Sequence, residues 1–219
     1  MSRQSLGYLF ALSLLSCQPA FALPKPPNDK NWKSLHTASV DEISAKISVA
    51  DDPMELFIVT SSYPIYKKNT SLLSAMAGSG QSDNYLRAII DRKTLNVAYQ
   101  FVFTTRYMGR YESIQRANYM TQNGPVPSEV KQLDYDLLNC RDSRGCEHYM
   151  AVAVAVPRAV LDWAGSRDGS NDDNIWFVRF ATAAQVGDRG LHPKEVASLL
   201  ARTDKEIERL KALAAVVDQ

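Results

Sequence analysis

Residues 140–163 place a cysteine loop, a long alternating run and a proline-led apolar segment end to end, and few folds accommodate all three. His148, Met150, Val152, Val154 and Val156 alternate with Tyr149, Ala151, Ala153 and Ala155, the period of two of a β-strand. Alanine is a poor strand former, so a row of three predicts a strand buried on both faces. The valine face is expected to meet other strands, and the alanine face to admit a helix or a second sheet. Pro157 suits a first helical position, where its missing N–H costs nothing. Residues 158–164 then give about two turns with Val160 and Leu161 inward, ended by Gly165. One continuous helix over 149–163 would be broken at Pro157.

The start of the chain reads as a targeting segment. Arg3 supplies a positive charge, residues 6–16 are apolar, and Ala20-Phe21-Ala22 offers the small-x-small pattern cut by signal peptidase. Such a run is too short to span a bilayer as a helix. The domain reading is therefore a signal peptide over 1–22, a proline-rich tether over 23–31 and one globular domain over 32–219. Leu14-Leu15-Ser16-Cys17 also resembles a bacterial lipobox, which makes lipidation at Cys17 the alternative.

With the leader gone, Cys140 and Cys146 remain, and two cysteines in an oxidising compartment usually pair. A bridge across so short a loop stabilises by somewhat less than the ~3 kcal/mol of a 15-residue one. The C-x5-C spacing differs from the redox-active C-x-x-C. The whole chain carries 25 Lys+Arg against 24 Asp+Glu, and the leader removes only Arg3. A charge near zero argues against nucleic acid as a partner.

Several further elements follow from periodicity. Residues 43–49 alternate as a half-exposed strand, and 56–60 form an apolar run expected to be covered on both faces and stopped by Pro64. Residues 70–77 suggest a short helix and 78–84 a loop. Residues 85–90 and 97–107 read as a hairpin, with Asp91 and Asn96 as turn formers and Val97, Tyr99, Phe101, Phe103 and Tyr107 on one face. Gly109 then reverses the chain so that 111–120 returns beside the hairpin as a meander. Pro125 and Pro127 bound a loop, after which 130–137 alternates strictly. Residues 175–181 form another strand, 187–190 a turn, and Pro193 opens a long amphipathic helix. Thr203-Asp204-Lys205-Glu206 has capping-box form and suggests an interruption near Arg202. The fold class is α+β: a mainly antiparallel sheet, meander or sandwich-like, with the C-terminal helix packed on it, over the alanine row.

Little in the chain spells chemistry. His36, His148 and His192 are scattered, so no metal or cofactor site is expected. His148 reads as a sheet histidine with a satisfied hydrogen bond, a role as base or ligand being the alternative. Gly78-Ser79-Gly80 is neither a nucleophile elbow nor a phosphate loop. Asp168, Asp172 and Asp173 lack the spacing of a calcium loop. The most suggestive cluster is Arg106, Tyr107, Arg110, Tyr111 and Arg116 around one hairpin tip, a combination enriched on surfaces that bind partners or anions. The expected function is that of a non-catalytic exported protein of the periplasm or envelope: a binding, accessory or assembly module for an envelope protein or small ligand. Its membrane contact would be limited to a lipid anchor, and a hydrolase whose site is assembled by the fold is the alternative.

Overall fold

Residues 97–103 alternate large apolar and small or polar side chains, and this stretch carries the centre of the molecule. The computed structural model describes residues 30–62, 82–141, 145–182 and 186–217. Strands β3 (Ser82–Asp91) and β4 (Val97–Gly109) form the expected hairpin. Its turn is held by the Asp91 carboxylate, which accepts from the amides of Lys93 and Thr94 at 2.9 and 2.8 Å. Leu95 completes it with φ 58°.

Strands β1 (Ser48–Ala50), β2 (Phe57–Ser61), β7 (Val130–Arg141) and β8 (Gly145–Ala155) extend the hairpin into a six-stranded antiparallel sheet of order β1-β2-β3-β4-β8-β7. A second sheet has the order β10-β9-β5-β6, from β5 (Arg116–Thr121), β6 (Gly124–Ser128), β9 (Trp176–Ala181) and β10 (Val186–Leu191). The helices are α1 (Lys30–Thr37), α2 (Val40–Ser44), α3 (Arg158–Gly165) and α4 (Pro193–Val217).

The antiparallel α+β class and the C-terminal helix are as the sequence implies, but the helix does not lie over the alanine row. Phe101 pairs with Val154 and Phe103 with Val152, so aromatics and valines share one face. That face meets Trp176, Val178 and Phe180 of the second sheet and Val196, Leu199 and Leu200 of α4 in a single core. Ala151 and Ala153 point to the other face, opposite Thr104 and Val102. The bulky side joins this core because it has the larger apolar area to remove from water, and the strand is buried on both faces as expected, since Ala151, Ala153 and Val102 are buried too.

Other expectations are corrected by pairing partners. Residues 111–120 do not return beside the hairpin: β4 is already flanked by β3 and β8, and β5 joins the second sheet instead. Pro125 and Pro127 lie in β6, an edge strand, where a missing donor is tolerated. The turn expected at 187–190 is strand β10. In β7 the strict alternation fails: register shifts near Leu133 and Leu138 bring Tyr135 opposite Met150 and Leu137 opposite His148. A bulge moves every later side chain to the opposite face.

The half-exposed strand expected at 43–49 is realised only at its end, where β1 starts at Ser48; Ile43 and Ser44 close helix α2, whose start carries a capping box, and 45–47 turn the chain. The Ser39 hydroxyl accepts from Glu42 N at 3.1 Å, and Ser39 N donates to Glu42 Oε2 at 2.8 Å. Ile43 and Ile47, four apart, are both buried. Strand β2 is one-sided rather than covered twice, with Phe57 exposed and Ile58 buried. Pro157 is the N-cap of α3 rather than its first residue. Gly165 is its last helical residue rather than a left-handed stop: a Cβ there would stand 3.1 Å from Ala197 N, so glycine lets α3 and α4 approach closely.

Helix α4 runs unbroken through Arg202. Thr203 does not cap; its hydroxyl donates back to Leu199 O at 2.8 Å and takes a bond from the Thr60 hydroxyl at 2.9 Å. Nearby, Ser62 Oγ donates to Glu195 Oε1 at 2.5 Å and accepts from Leu86 N at 3.0 Å. Glu195 is 1 % exposed, and burial pushes its carboxyl up to about 8. Ser82, Asp83 and Asn84, expected in a loop, belong to β3. The leader, Cys17, most of the tether, Pro64, the helix at 70–77 and the loop at 78–81 lie outside the described residues, while α1 begins at Lys30.

Candidate functional site

Beyond Phe103, residues of β4 and of the strands β9 and β10 border a cleft of about 410 Å³. Its apolar wall is Phe103, Ile114, Met150 and Phe180; its polar groups come from Thr105, Tyr107, Arg110, Glu112, Thr182 and Arg189. That volume lies within the range that holds small ligands.

Arg189 reaches the cleft because β10 alternates. Arg189 pairs with the inward Val178, while Asp188 pairs with the outward Arg179. The Asp188 carboxylate accepts two bonds from Arg179, at 2.6 and 2.8 Å, which holds the Arg179 guanidinium charged. Asp188 is thereby committed, and among the described residues Arg189 makes one hydrogen bond, from Nη1 to the Asp188 carbonyl at 2.8 Å. Its Cζ lies 4.6 Å from the centre of the Phe103 ring. A Cβ at Gly187 would come 3.3 Å from Nη1, so glycine leaves room for the guanidinium. Nε is buried without an acceptor among the described residues, and burial lowers the pKa of the group.

The floor beside the cleft is aromatic. Tyr107 stacks on His148 with centroids 5.1 Å apart, and Tyr111 meets Tyr135 edge-on at 5.0 Å. His148 has both nitrogens engaged: Nε2 lies 3.0 Å from the Gly109 carbonyl and Nδ1 lies 2.8 Å from the Tyr135 hydroxyl. A carbonyl only accepts, so Nε2 carries the proton and, in the neutral ring, Tyr135 donates to Nδ1. The sheet-histidine reading fits this arrangement. The Tyr107 hydroxyl accepts from Glu112 N at 3.1 Å and donates to Glu112 O at 3.4 Å, pinning the link out of β4. Burial pushes the Tyr107 phenol up.

Behind this floor, Cys140 and Cys146 form a disulfide, and Cys146 pairs with Gly109 across β4 and β8. The disulfide is compatible with an exported protein. No described helix is long and apolar enough to cross a membrane.

The five residues of the arginine–tyrosine cluster do not share one surface. Tyr107 and Arg110 line the cleft and Tyr111 packs beside it. Arg106 faces the opposite side of the sheet, its Cζ 5.8 Å from the Tyr149 ring centre. Arg116 lies on β5, exposed and opposite Ala181. The outer face has a concavity of its own, about 630 Å³, lined by Asp83, Tyr85, Arg106, Asp134, Asp136 and Tyr149 among others. No group of three metal-ligating side chains occurs among the described residues, and Asp168 is folded onto Ser170, accepting from its amide and hydroxyl at 2.9 and 2.7 Å.

No protein-family model, curated protein or solved structure matches this chain. Any functional reading therefore rests on the cleft's own chemistry. Sequence reasoning missed Arg189 because glycines on both sides of Asp188-Arg189 imitate a turn. The available signal was its alternation with Gly187 and Leu191, which places a cation on the apolar side of a strand.

Proposed function

We propose that this chain is a non-catalytic exported protein of the periplasm or envelope, a binding module whose ligand occupies the cleft between the two sheets. The observation that carries this reading is Arg189, a partly buried guanidinium at a ligand-sized cleft whose nearest carboxylate is already held by Arg179. Leaving polar or charged groups unpaired in a desolvated place costs free energy, and a ligand that supplies acceptors offsets that cost. The remaining cleft groups suit holding better than turnover, since the Tyr107 hydroxyl is engaged by backbone and the Glu112 carboxylate accepts from Thr182 at 3.0 Å. The disulfide and the leader-like residues 1–22 support export.

The test is native mass spectrometry of the chain recovered undenatured from a bacterial envelope. The expected polypeptide mass starts at Leu23, with a non-covalent adduct that is lost on denaturation. The Thr105→Trp variant, which fills the cleft, is expected to carry at least tenfold less of the adduct. Lipid on Cys17 would make the protein membrane-tethered, retention of Met1 would refute export, and an adduct unaffected by Thr105→Trp would remove the cleft as its site.

A further inference from the structure

The charges and walls of the cleft narrow the class of ligand, provided the binding reading above holds. Two arginines, Arg110 and Arg189, face a space shared with one carboxylate, Glu112. Among the described residues Arg110, which is exposed, forms no ion pair, and Arg189 is held in place over Phe103 with Nη2 making no hydrogen bond. The cleft thus carries an excess of one positive charge at its polar side. Phe103, which carries the Arg189 guanidinium on its ring, lines the cleft together with Ile114, Met150 and Phe180 as its apolar part, and Met108, also in the lining, is 37 % exposed.

We propose that the cleft binds an amphiphile with one anionic headgroup and one short apolar body. The headgroup meets the Arg189 and Arg110 guanidinium groups, and the body lies against Phe103, Ile114, Met150 and Phe180. An arginine fork matches the oxygens of a carboxylate or a phosphate equally, so those oxygens are the chemistry the site reads. Glu112 limits the excess: two arginines against one carboxylate leave one net positive charge, so an anionic headgroup is favoured over a neutral or a cationic one. At about 410 Å³ the cleft takes one short chain or ring rather than a lipid with two long chains. Burial of that apolar part supplies most of the affinity, and the arginines supply orientation and choice of charge.

The experiment is isothermal titration of the folded, disulfide-bonded chain with octanoate, octyl phosphate, 1-octanol and octylammonium, each below its micellar concentration. Octanoate and octyl phosphate are expected to bind at least tenfold more tightly than octanol and octylammonium. The ratio between the two anions tells whether the natural source is a free fatty acid or a phosphorylated amphiphile. Arg189→Gln is expected to weaken both anions tenfold or more while leaving octanol within about twofold. Arg110→Gln, at an exposed position, is expected to weaken them several-fold, and Arg116→Gln, outside the cleft, to change nothing. Equal binding of octylammonium and octanoate, or anion binding indifferent to both Arg189→Gln and Arg110→Gln, overturns the proposal. If no octyl compound binds but the envelope adduct still disappears in Thr105→Trp, the ligand class is wrong and the binding reading stands; if the adduct is also absent, both fall.

Discussion

Replacing Trp176 with alanine is expected to cost about 3–5 kcal/mol, the range for deleting a large buried aromatic. Trp176 is fully buried at the junction of both sheets, its ring 5.8 Å from Phe101 in an edge-on arrangement. Its indole Nε1 also donates to Met120 O at 2.8 Å, so truncation opens a cavity and strands a carbonyl at once. In a chain of this size the loss corresponds to a fall in Tm on the order of 10 °C. Trp176→Phe keeps most of the volume and is expected to lose less than half as much. Urea unfolding of the three proteins at one pH checks this, and a loss below ~1 kcal/mol for Trp176→Ala would mean that the second sheet does not close the core.

The second large effect is a pH dependence centred on Glu195. Its carboxyl titrates at about 8 in the folded chain and near the ordinary 4.5 when unfolded, because burial of this first-turn residue of α4 penalises the charge more than the Ser62 bond favours it. The folded state therefore binds more protons than the unfolded state between those two values. Stability falls as pH rises through that window, by a few kcal/mol in total, and levels off above pH 8. Glu195→Gln keeps the shape and removes the titration, so its stability is expected to be flat across the same window and to exceed that of the natural chain at pH 8.5. Parallel slopes for the two proteins from pH 5 to 8.5 would show that Glu195 is not the group responsible.

Much of the larger sheet is legible in the residues. Phe101, Phe103, Val152 and Val154 each alternate with smaller or polar neighbours, and this difference in size between the two faces keeps the period of two visible although both faces are buried at the centre. Cys140 and Cys146 likewise announce their own pairing. The smaller sheet is hard to read because β6 contains two prolines and β10 two glycines, residues that ordinarily mark turns. The end of helix α2 is hidden because Ile43, Ala45 and Ile47 extend the period of the true strand residue Val49 backwards, while the Ser39–Glu42 capping box carries the helix signal. Half of the candidate site follows from Tyr107 and Arg110. The other half is set by long-range pairing: only the β9–β10 register turns Arg189 inward, and only the bulge near Leu133 brings Tyr135 to His148.

The central claim is that the space between the sheets, rather than the outer face of the larger one, receives the ligand. Amide chemical-shift mapping of the ¹⁵N-labelled chain during titration with octanoate tests it most directly. The largest shifts are predicted at Tyr107, Met108, Gly187 and Arg189, which border the cleft on two different strands of two different sheets. Largest shifts at Tyr85, Thr104, Arg106 and Tyr149 would place the binding surface on the opposite face and contradict the account.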